Sequence, residues 1–585
     1  MKKVRIWLSH PKLPLFLVLL AVGLTFPSLW NGLCFDDNFH KIVLLGKVPL
    51  SEHTSSPFNL FSFSDGDVSQ ARQEMNSGSI PWWTDEKFQV KFLRPVTSLT
   101  HWIDYQLWPD IPALMHLQSL MWFGILVALL ALFYRRIMGA GWVAGLAAFF
   151  FAVDPAHGAP AGWIANRNWL IAAVFGVLCL IAHDRWRRKG WRGGILLGPL
   201  CLALALFSAE AGTAVGGYLL AYTLFMENGS SGKRIASLIP YGLVGCSWLL
   251  VFLLMGCGAK HTPFYIDPFK DTLSYFIALL VRSPVYLLGQ WALPPVFVYQ
   301  FLPGFMVKAG VIFTAVLALV LAPVIRKEKT ARFWAAGMLL SLLLIAAVQP
   351  SDRNLLFVGI GAMGLLAQWF SWLSLVDWSV KSRLWRVSAR IVLVMFTLIH
   401  AVIHPLSLPM SVQSIARFYA QTKKASASLP SGPEYDLRTL VLVNNPAYFF
   451  FVTSVISHRI SQGEFTMIKA LTSGGHPLTL IRKDLYSIEI RAKTGSLTDK
   501  DSFLIRGGKA PVLRQGESVW LSDVTIEVLE VDDGLPTAAT FRFSVPLEDP
   551  DLVWFRWQDG VYVPFTPPAV GETVTIEGAH FTVEH

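Results

Sequence analysis

Charged residues are scarce in this sequence. Only 15% of the 585 residues are Asp, Glu, Lys or Arg, whereas an ordinary soluble domain has about a quarter. Hydrophobic residues make up 53% of the chain, and the mean hydropathy is +0.48 over its whole length. This balance excludes a soluble enzyme and a disordered chain, and it leaves a polytopic membrane protein.

Cysteine is scarce as well. The five cysteines are too few for the disulfide framework of a secreted scaffold. Cys179, Cys201 and Cys246 lie inside apolar runs, where a free thiol acts as a small hydrophobic side chain. The sequence has no low-complexity tract and no 34-residue helical repeat, so a repeat architecture is excluded too.

Positive charge is unevenly distributed. The net charge is +10, but residues 409–585 contain 16 Lys and Arg against 20 Asp and Glu, which leaves 33 against 19 for the rest. The excess lies in short clusters between apolar runs. That pattern favours membrane topology over nucleic-acid binding, so membrane lipids are expected partners and nucleic acid is not.

Apolar runs of suitable length predict eleven membrane spans. The first, 13–30, follows Lys2, Lys3 and Arg5 and lacks a cleavage site, so it is predicted to be an uncleaved span with a cytoplasmic N-terminus. The other predicted spans are 113–134, 140–158, 161–182, 194–209, 211–226, 235–256, 305–325, 333–349, 354–376 and 391–408.

Basic clusters set the predicted orientation, because Lys and Arg accumulate in cytoplasmic loops. These clusters occur at 135–136, 185–192, 233–234, 326–332 and 381–390. Residues 31–112 and 257–304 then become outer loops. The apolar segment 273–291 is predicted to be a re-entrant or interface-lying helix on the outer side, interrupted by Pro284, Pro294 and Pro295.

The composition changes after residue 408. Residues 1–408 are predicted to form a membrane module, and residues 409–585 a soluble outer domain. A helix over 411–429, a strand at "RTLVLVNN" and a short helix are expected first. Alternating segments then predict a β-sandwich-like or barrel-like fold. They are "LYSIEIRA", "VTIEVLEV", "TAATFRFSV", "LVWFRW" and "GETVTIEG". The predicted fold class is a polytopic α-helical membrane protein with a C-terminal β-rich extracytoplasmic domain.

Polar residues near the predicted outer face are the candidates for a functional site. Asp36 and Asp37, directly after the first span, suit a general base or a divalent-metal ligand, and equally a helix-end turn. Arg167 lies in an apolar stretch, where a charge is costly and usually functional. The other candidates are Arg94, His101, Asp104, His116, Asp154, His157, Glu210, Asp352 and Arg353. Their shared side predicts one outward-facing polar cavity, although caps, local ion pairs and interface helices would explain several of them singly.

A first span followed by five motifs resembles the GT-C class of membrane glycosyltransferases. The resemblance is greatest to the transmembrane protein O-mannosyltransferases, without their tetratricopeptide repeats, and to their bacterial relatives. The motifs are "DDNFHKI", "RPVTSLTHWIDYQLW…MHLQ", "DPAHGAPAGWIANRNWL", "FSAEAGTAVGGYLLAY" and "SDRNLLFVGIGAMGLL". The resemblance covers residues 10–408 and implies the GT-C fold.

The resemblance also implies roles for individual residues. In that family the acidic pair after the first span contains the catalytic carboxylate, which implies this role for Asp36 or Asp37. The donor is a sugar on a polyprenyl phosphate. The resemblance places its phosphate on Arg353, and less directly on Arg94 or Arg167.

Two motifs depart from the family pattern. Residues 154–157 read Asp-Pro-Ala-His, without the family's His-Pro-x-His and the acidic residue two positions later. Ala209 and Glu210 stand where the family has a Lys-Glu pair. These departures leave the donor sugar open, and the missing repeats leave the acceptor open.

The expected reaction is an inverting transfer of the sugar to a hydroxyl of a protein, glycan or lipid acceptor. The expected location is a bacterial inner membrane, with the C-terminal domain in the periplasm. Mg²⁺ or Mn²⁺ could take part, with Asp36, Asp37 and His157 as ligands, although no spacing demands a metal. The alternatives are a lipid-carrier flippase or transporter and a non-catalytic scaffold with an outer binding domain.

Overall fold

The computed structural model describes residues 2–45, 57–379, 381–446, 451–498, 505–506 and 513–580. The chain divides into two compact units. Unit 1 comprises Met1–Cys34, Leu93–Gly256 and Ile266–Ala416. Unit 2 comprises Phe35–Phe92, Cys257–Tyr265 and Arg417–His585.

Helices make up nearly all of unit 1. The α-helices of the described chain are α1 (Lys2–Leu8), α2 (Leu13–Thr25), α3 (Asp36–Leu45), α4 (Val68–Ser77), α5 (Pro95–Leu107), α6 (Pro112–Met138), α7 (Trp142–Ala152), α8 (Gly158–Gly162), α9 (Asn168–Lys189), α10 (Gly194–Leu206), α11 (Ala214–Phe225), α12 (Ser231–Ala236), α13 (Ile239–Leu254), α14 (Thr272–Trp291), α15 (Pro303–Lys327), α16 (Lys329–Ile345), α17 (Leu356–Leu375), α18 (Arg383–Leu398), α19 (His404–Ala427) and α20 (Phe451–Gln462). Helices α3, α4 and α20 belong to unit 2.

Seven helical segments of the described chain are long and apolar enough to cross a membrane. They are Leu13–Trp30, Pro112–Met138, Ile164–Lys189, Thr272–Trp291, Pro303–Lys327, Asp352–Leu375 and Arg383–Ala427. Three shorter apolar helices, α7, α10 and α13, accompany them. The predicted polytopic helical membrane protein is confirmed, while the number of eleven spans and their orientation stay predictions.

The prediction that Pro284 interrupts the helix of segment 273–291 is wrong. Helix α14 runs unbroken from Thr272 to Trp291 with Pro284 inside it. A proline removes one helical hydrogen bond, but helices packed in membranes tolerate this because neighbouring groups satisfy the freed carbonyl. Pro294 and Pro295 lie beyond the helix end.

Helix α14 runs across one end of α16. The Tyr275 hydroxyl donates to the Leu343 carbonyl at 2.6 Å, and the Tyr286 hydroxyl donates to the Ile345 carbonyl at 3.1 Å. The two tyrosines are about 16 Å apart along α14, yet both bond to the same end of α16. The predicted re-entrant or interface-lying placement of α14 on the outer side stays a prediction.

Close approach of small residues holds helices α16 and α17 together. A Cβ added to Gly361 would lie 2.5 Å from the Trp334 carbonyl oxygen, so the two backbones nearly touch there. The buried Tyr134 hydroxyl donates to the Ile360 carbonyl at 2.7 Å, which ties α6 to the same place. Such contacts drive helix association in membranes. Lipid tails are as apolar as the side chains, so burial of apolar surface gives no driving force there.

Unit 2 contains three sheets. Its strands are β1 (Ser62–Asp65), β2 (Gln89–Lys91), β3 (Gly258–Lys260), β4 (Thr439–Leu442), β5 (Met467–Ala470), β6 (Leu478–Arg482), β7 (Ser487–Ala492), β8 (Ser518–Trp520), β9 (Val524–Asp532), β10 (Leu535–Phe543), β11 (Leu552–Gln558), β12 (Val561–Pro564) and β13 (Thr573–Ile576). The sheet orders are β1-β2-β3, β13-β6-β7-β10-β9-β8 and β12-β11-β4-β5. The six-stranded sheet is antiparallel, and β4 pairs in parallel with both β11 and β5. Every predicted strand of the C-terminal region is present.

The domain boundary differs from the predicted one. Residues 35–92, expected in the membrane module, belong to the same compact unit as the C-terminal strands. Trp82 and Trp83 lie in the hydrophobic core of the two larger sheets, and the Trp82 indole donates to the Leu471 carbonyl at 3.0 Å. The Arg506 Nε donates to the Trp83 carbonyl at 3.0 Å. Two tryptophans bury a large apolar area, so the first loop is part of the core of this unit.

The end of helix α4 docks on strand β5. Lys469 extends its amine to the Asn76 carbonyl at 2.7 Å and to an Asp523 carboxylate oxygen at 2.8 Å. A cation there satisfies the free carbonyls of the helix end and suits its dipole. Gly78, with φ of +77°, follows the helix, and a Cβ on it would lie 1.8 Å from the Ile468 carbonyl oxygen.

Gly78→Ala should therefore destabilise the protein by more than a positive φ alone costs. A left-handed backbone costs an alanine about 1–2 kcal/mol, and here the new methyl group also pushes α4 off β5. Gly190→Ala is the matched control, because Gly190 also ends a helix with φ of +68° but has nothing within 4 Å of its Cβ position. Thermal unfolding of both purified variants tests this. Equal losses would show that α4 can move away from β5 freely.

Candidate functional site

Asp36 and Asp37 form the first turn of helix α3 in unit 2. Carboxylates there are stabilised by the positive end of the helix dipole. Asp37 is wholly buried, whereas Asp36 is half-buried. Of the two, only Asp36 can approach a molecule from solvent without a rearrangement.

The backbone directly before the acidic pair is strained. Phe35 has φ of +46°, which is uncommon for a large side chain. Its ring packs edge-on against Tyr419, with 4.8 Å between the ring centroids. Strained residues of this kind persist only where packing fixes them, and they cluster at functional sites.

Asn38 anchors the same turn of α3. Its amide nitrogen donates to the Tyr419 hydroxyl at 2.8 Å, and its carbonyl oxygen accepts from the Ser461 hydroxyl at 3.0 Å. Both partners lie in the C-terminal part of unit 2. Asn38 is buried, so losing either partner would leave a costly unsatisfied amide. The position of the acidic pair therefore depends on residues about 380 and 420 positions later in the chain.

Positive charge surrounds His458 on helix α20. Burial and, to a smaller extent, the charges of Lys423, Arg459 and Lys41 lower the pKa of His458 to about 4. The imidazole is therefore neutral at pH 7.

In unit 1, Arg94 pairs with Glu210. The Arg94 Nε and Nη2 both donate to one Glu210 carboxylate oxygen, at 2.9 and 2.7 Å. Thr97 on α5 donates to the Ser208 carbonyl at 2.8 Å and holds the two segments together. The predicted donor-binding Arg94 thus has a carboxylate partner of its own.

Arg167 forms a buried ion pair with Asp104. Its Nη1 donates to the Asp104 carboxylate at 2.6 Å and also contacts Gln118, and its Nε donates to Ser119 at 2.9 Å. Its Nη2 donates to the Met115 carbonyl at 2.6 Å. Both charged side chains are wholly buried. Burial raises the pKa of Asp104, and the Arg167 charge partly offsets this. Four of its five N–H groups are in use, so the predicted phosphate-binding role does not fit Arg167.

The three candidate histidines of unit 1 are wholly buried. The His116 Nε2 lies 2.9 Å from a backbone carbonyl oxygen. The His157 ring packs against Phe151 and Phe123, with centroids 4.3 and 5.4 Å away. Prediction placed His101, His116 and His157 along an open cavity. In this structure all three are wholly buried in the interior.

Asp154 and Asp352 are bonded to the segment that ends helix α14. The Gln290 amide donates to Asp154 at 2.7 Å, and the second Asp154 oxygen accepts from the Ala156 backbone. Asp352 accepts from the Val296 backbone at 2.8 Å. These carboxylates hold together the chain segments at residues 154–156, 290–296 and 352. Their contacts fit a structural role as caps.

Arg353 differs from the other two arginines. It is half-buried in the 3₁₀ turn Asp352–Leu355, and among the described residues its side chain makes no hydrogen bond or ion pair. Its guanidinium carbon lies 5.5 Å from the ring centre of Trp163. The Trp163 indole donates to the Cys34 carbonyl at 3.2 Å. An aromatic face orients a guanidinium and leaves its N–H groups available to an anion.

The charged candidates of unit 1 are thus bonded to one another or to neighbouring amide and backbone groups, apart from Arg353, and one shared cavity stays a prediction. Among the described residues, no group of three or more His, Cys, Asp or Glu is arranged to hold a metal ion. The predicted metal role of Asp36, Asp37 and His157 thus gains no support from geometry.

Sequence reasoning missed three residues that hold these groups in place. They are Asn38, Trp163 and Gln290. Asn38 stands inside "DDNFHKI" and Trp163 inside "GWIANRNW", so each was part of a motif already singled out. Gln290 was detectable as an amide in the apolar run "YLLGQWAL", where a polar group needs a partner.

No family model matches the chain, and no curated protein matches it. ArnT from Cupriavidus metallidurans, bound to undecaprenyl phosphate, is similar in structure. Its TM-score is 0.38 and its identity 12%, over 78% of this chain and 85% of ArnT. The archaeal oligosaccharyltransferase AglB from Archaeoglobus fulgidus, in complex with an inhibitory peptide and a dolichol-phosphate, is also similar. Its TM-score is 0.39 and its identity 12%, over 79% of this chain and 64% of AglB, which is less than two thirds.

With TM-scores below 0.5, these likenesses carry no argument about this chain. The roles of individual residues depend on the geometry of this chain alone.

Variants of the Arg167–Asp104 pair can distinguish a structural role of Arg167 from a donor-binding role. Arg167→Met should destabilise the protein by about 3–5 kcal/mol, because it leaves a buried carboxylate uncompensated. The double variant Arg167→Met/Asp104→Leu should regain most of this, measured by thermal unfolding. A double variant that is stable but no longer binds a polyprenyl phosphate would restore the donor-binding role to Arg167.

Proposed function

We propose that this protein is a membrane glycosyltransferase that moves a sugar from a polyprenyl-phosphate donor to a hydroxyl acceptor on the outer side of the membrane. The motifs of residues 10–408 that resemble the GT-C class support it. So does the difference among the three candidate arginines, which is the observation that carries the proposal. Two of them are committed to carboxylates, and only Arg353 keeps a half-exposed guanidinium without an anion.

We infer that Arg353 binds the donor phosphate. Its guanidinium can offer two parallel N–H groups to phosphate oxygens, an arrangement that a lysine cannot reproduce. The Trp163 ring restrains the side chain without using those donors. The Trp163 indole is bonded to Cys34, and Asp36 follows Cys34 by two residues.

Asp36 is the proposed general base, because it is the accessible member of the acidic pair. Asp37 is wholly buried and would support α3 from inside unit 2. A base must come within hydrogen-bond reach of the proton that it removes. The strained Phe35 and the anchored Asn38 would fix the carboxylate in that position.

The proposed reaction is a single displacement. The acceptor oxygen forms a bond to the anomeric carbon while the bond from that carbon to the phosphate oxygen breaks. Asp36 takes the hydroxyl proton, and the phosphate leaves with the electron pair. Arg353 stabilises the charge that develops on it. The phosphate is already ionised as the donor diester, so no strong acid is needed, and the configuration at the sugar inverts.

Neutralising the proposed base should abolish most of the transfer. Asp36→Asn should lower the turnover by about 10²–10⁴-fold, the usual contribution of a general base, while binding of the lipid donor persists. Glu86→Gln is the control in the same loop, because Glu86 forms an exposed pair with Arg72. Transfer to a defined acceptor by purified protein in lipid gives the measurement. If Asp36→Asn is active and Asp37→Asn is not, the base is the buried member, and activity in both and in the double variant would favour the transporter or scaffold.

Changing the proposed phosphate ligand should weaken binding as well as turnover. Arg353→Ala should lower both donor affinity and turnover, because a phosphate contact acts in the ground state and in the transition state. Arg353→Lys should restore only part of the loss if two N–H groups are used. Titration of detergent-solubilised protein with a polyprenyl phosphate measures binding without any acceptor. Unchanged affinity in Arg353→Ala would remove this residue from the donor site.

A further inference from the structure

Four cations in unit 1 are grouped at the start of helix α18 and have no use in the proposed reaction. We name Lys381, Arg383, Arg386 and Arg390 the basic stretch. None of the four has an ion pair or side-chain hydrogen bond among the described residues. Lys381 lies 5.6 Å from the ring centre of Trp385, and Arg390 lies 5.6 Å from that of Trp378.

The other basic clusters behave differently. In each of them at least one guanidinium is bonded within the chain. The bonds are from Arg136 to Asp184, from Arg187 to Glu227, from Arg234 to the Thr223 carbonyl and from Arg332 to the Ile325 carbonyl. The basic stretch differs from these clusters in that none of its four cations is bonded within the described chain.

The basic stretch is unfavourable on its own. Arg383, Arg386 and Arg390 follow each other at spacings of three and four, so they share one side of α18, and like charges at these spacings repel. Arg383 and Arg386 also stand in the first turn, where the helix dipole disfavours positive charge. A bound anion would remove both penalties.

Apolar surface accompanies these charges. Trp378 and Trp385 pack against each other, with centroids 5.5 Å apart. Leu384, Val387 and Ile391 of the same helix are exposed at 78, 46 and 62%. An exposed apolar helix with cations and tryptophans at one end is typical of a contact with lipid headgroups and acyl chains.

We propose that the basic stretch and the neighbouring tryptophans form a binding site for the phosphate group of an anionic membrane lipid. The guanidinium groups bind the phosphate oxygens, and the exposed apolar residues contact the acyl chains. Each Lys or Arg near an anionic membrane surface adds to the attraction for that surface. A soluble phosphate would use the charges but not the apolar surface.

The full chain in nanodiscs made from equal parts of phosphatidylglycerol and phosphatidylcholine tests this proposal. After release into mild detergent, native mass spectrometry counts the lipids retained on each molecule. Wild-type protein should retain phosphatidylglycerol at least about tenfold over phosphatidylcholine. Equal retention of the two lipids would overturn the proposal without any variant.

A variant with glutamine at all four positions of the basic stretch should lose this preference by at least about tenfold. The control removes four unpaired charges elsewhere, as Lys189→Gln, Arg192→Gln, Lys233→Gln and Lys327→Gln. It should keep the preference. Equal losses in both variants would show a general effect of net charge and overturn the site.

Inorganic phosphate distinguishes the source of the anion. Millimolar phosphate added to the wild-type protein in detergent should leave the bound phosphatidylglycerol in place, because it cannot replace the apolar contacts. Complete displacement by phosphate would overturn the lipid assignment in favour of a soluble anion. Thermal unfolding would reveal whether the four-position variant is misfolded. In that case the two wild-type measurements, of lipid preference and of displacement by phosphate, would still test the proposal.

Discussion

A polar group buried inside the membrane unit must find its partner within the chain, because lipid offers none. Four charged candidates of unit 1 obey this constraint. Arg167 is surrounded by acceptors, Arg94 has Glu210, and Asp154 and Asp352 bond to the end of helix α14 and the segment after it. A cation that has no anion within the described chain, such as Arg353, is therefore expected to bind an anion from outside the chain.

The distinction between structural and functional arginines follows from this accounting. Burial of a guanidinium costs several kcal/mol unless its N–H groups are bonded. Arg167 meets that condition with partners on α5 and α6, so its charge holds helices together. Arg353 meets an aromatic ring instead, which orients the side chain without neutralising it. The same comparison separates the basic stretch of α18 from the other basic clusters.

Composition and periodicity were sufficient to predict the membrane helices and the C-terminal strands, because each is set by neighbouring residues. They were insufficient where partners are distant in the chain. Whether Arg94, Arg167 or Arg353 is free depends on Glu210, Asp104 and Trp163, and spacing alone does not reveal such pairs. Pro284 was expected to break a helix that its surroundings preserve. The tryptophans of "PWWTDE" were the available sign that the first loop belongs to a core, since large aromatic side chains rarely stay in solvent.

Unit 2 is assembled from the beginning, the middle and the end of the chain. During synthesis, Trp82 and Trp83 emerge long before the strands that cover them, and helix α3 emerges long before Tyr419 and Ser461, which fix Asn38. Long-range pairing of this kind is slow and leaves apolar surface exposed in the meantime. The acidic pair can therefore reach its final position only after Tyr419 and Ser461 have been synthesised. A chain truncated before Tyr419 would lack both side chains that fix Asn38, so the turn that carries the acidic pair would lose its anchors.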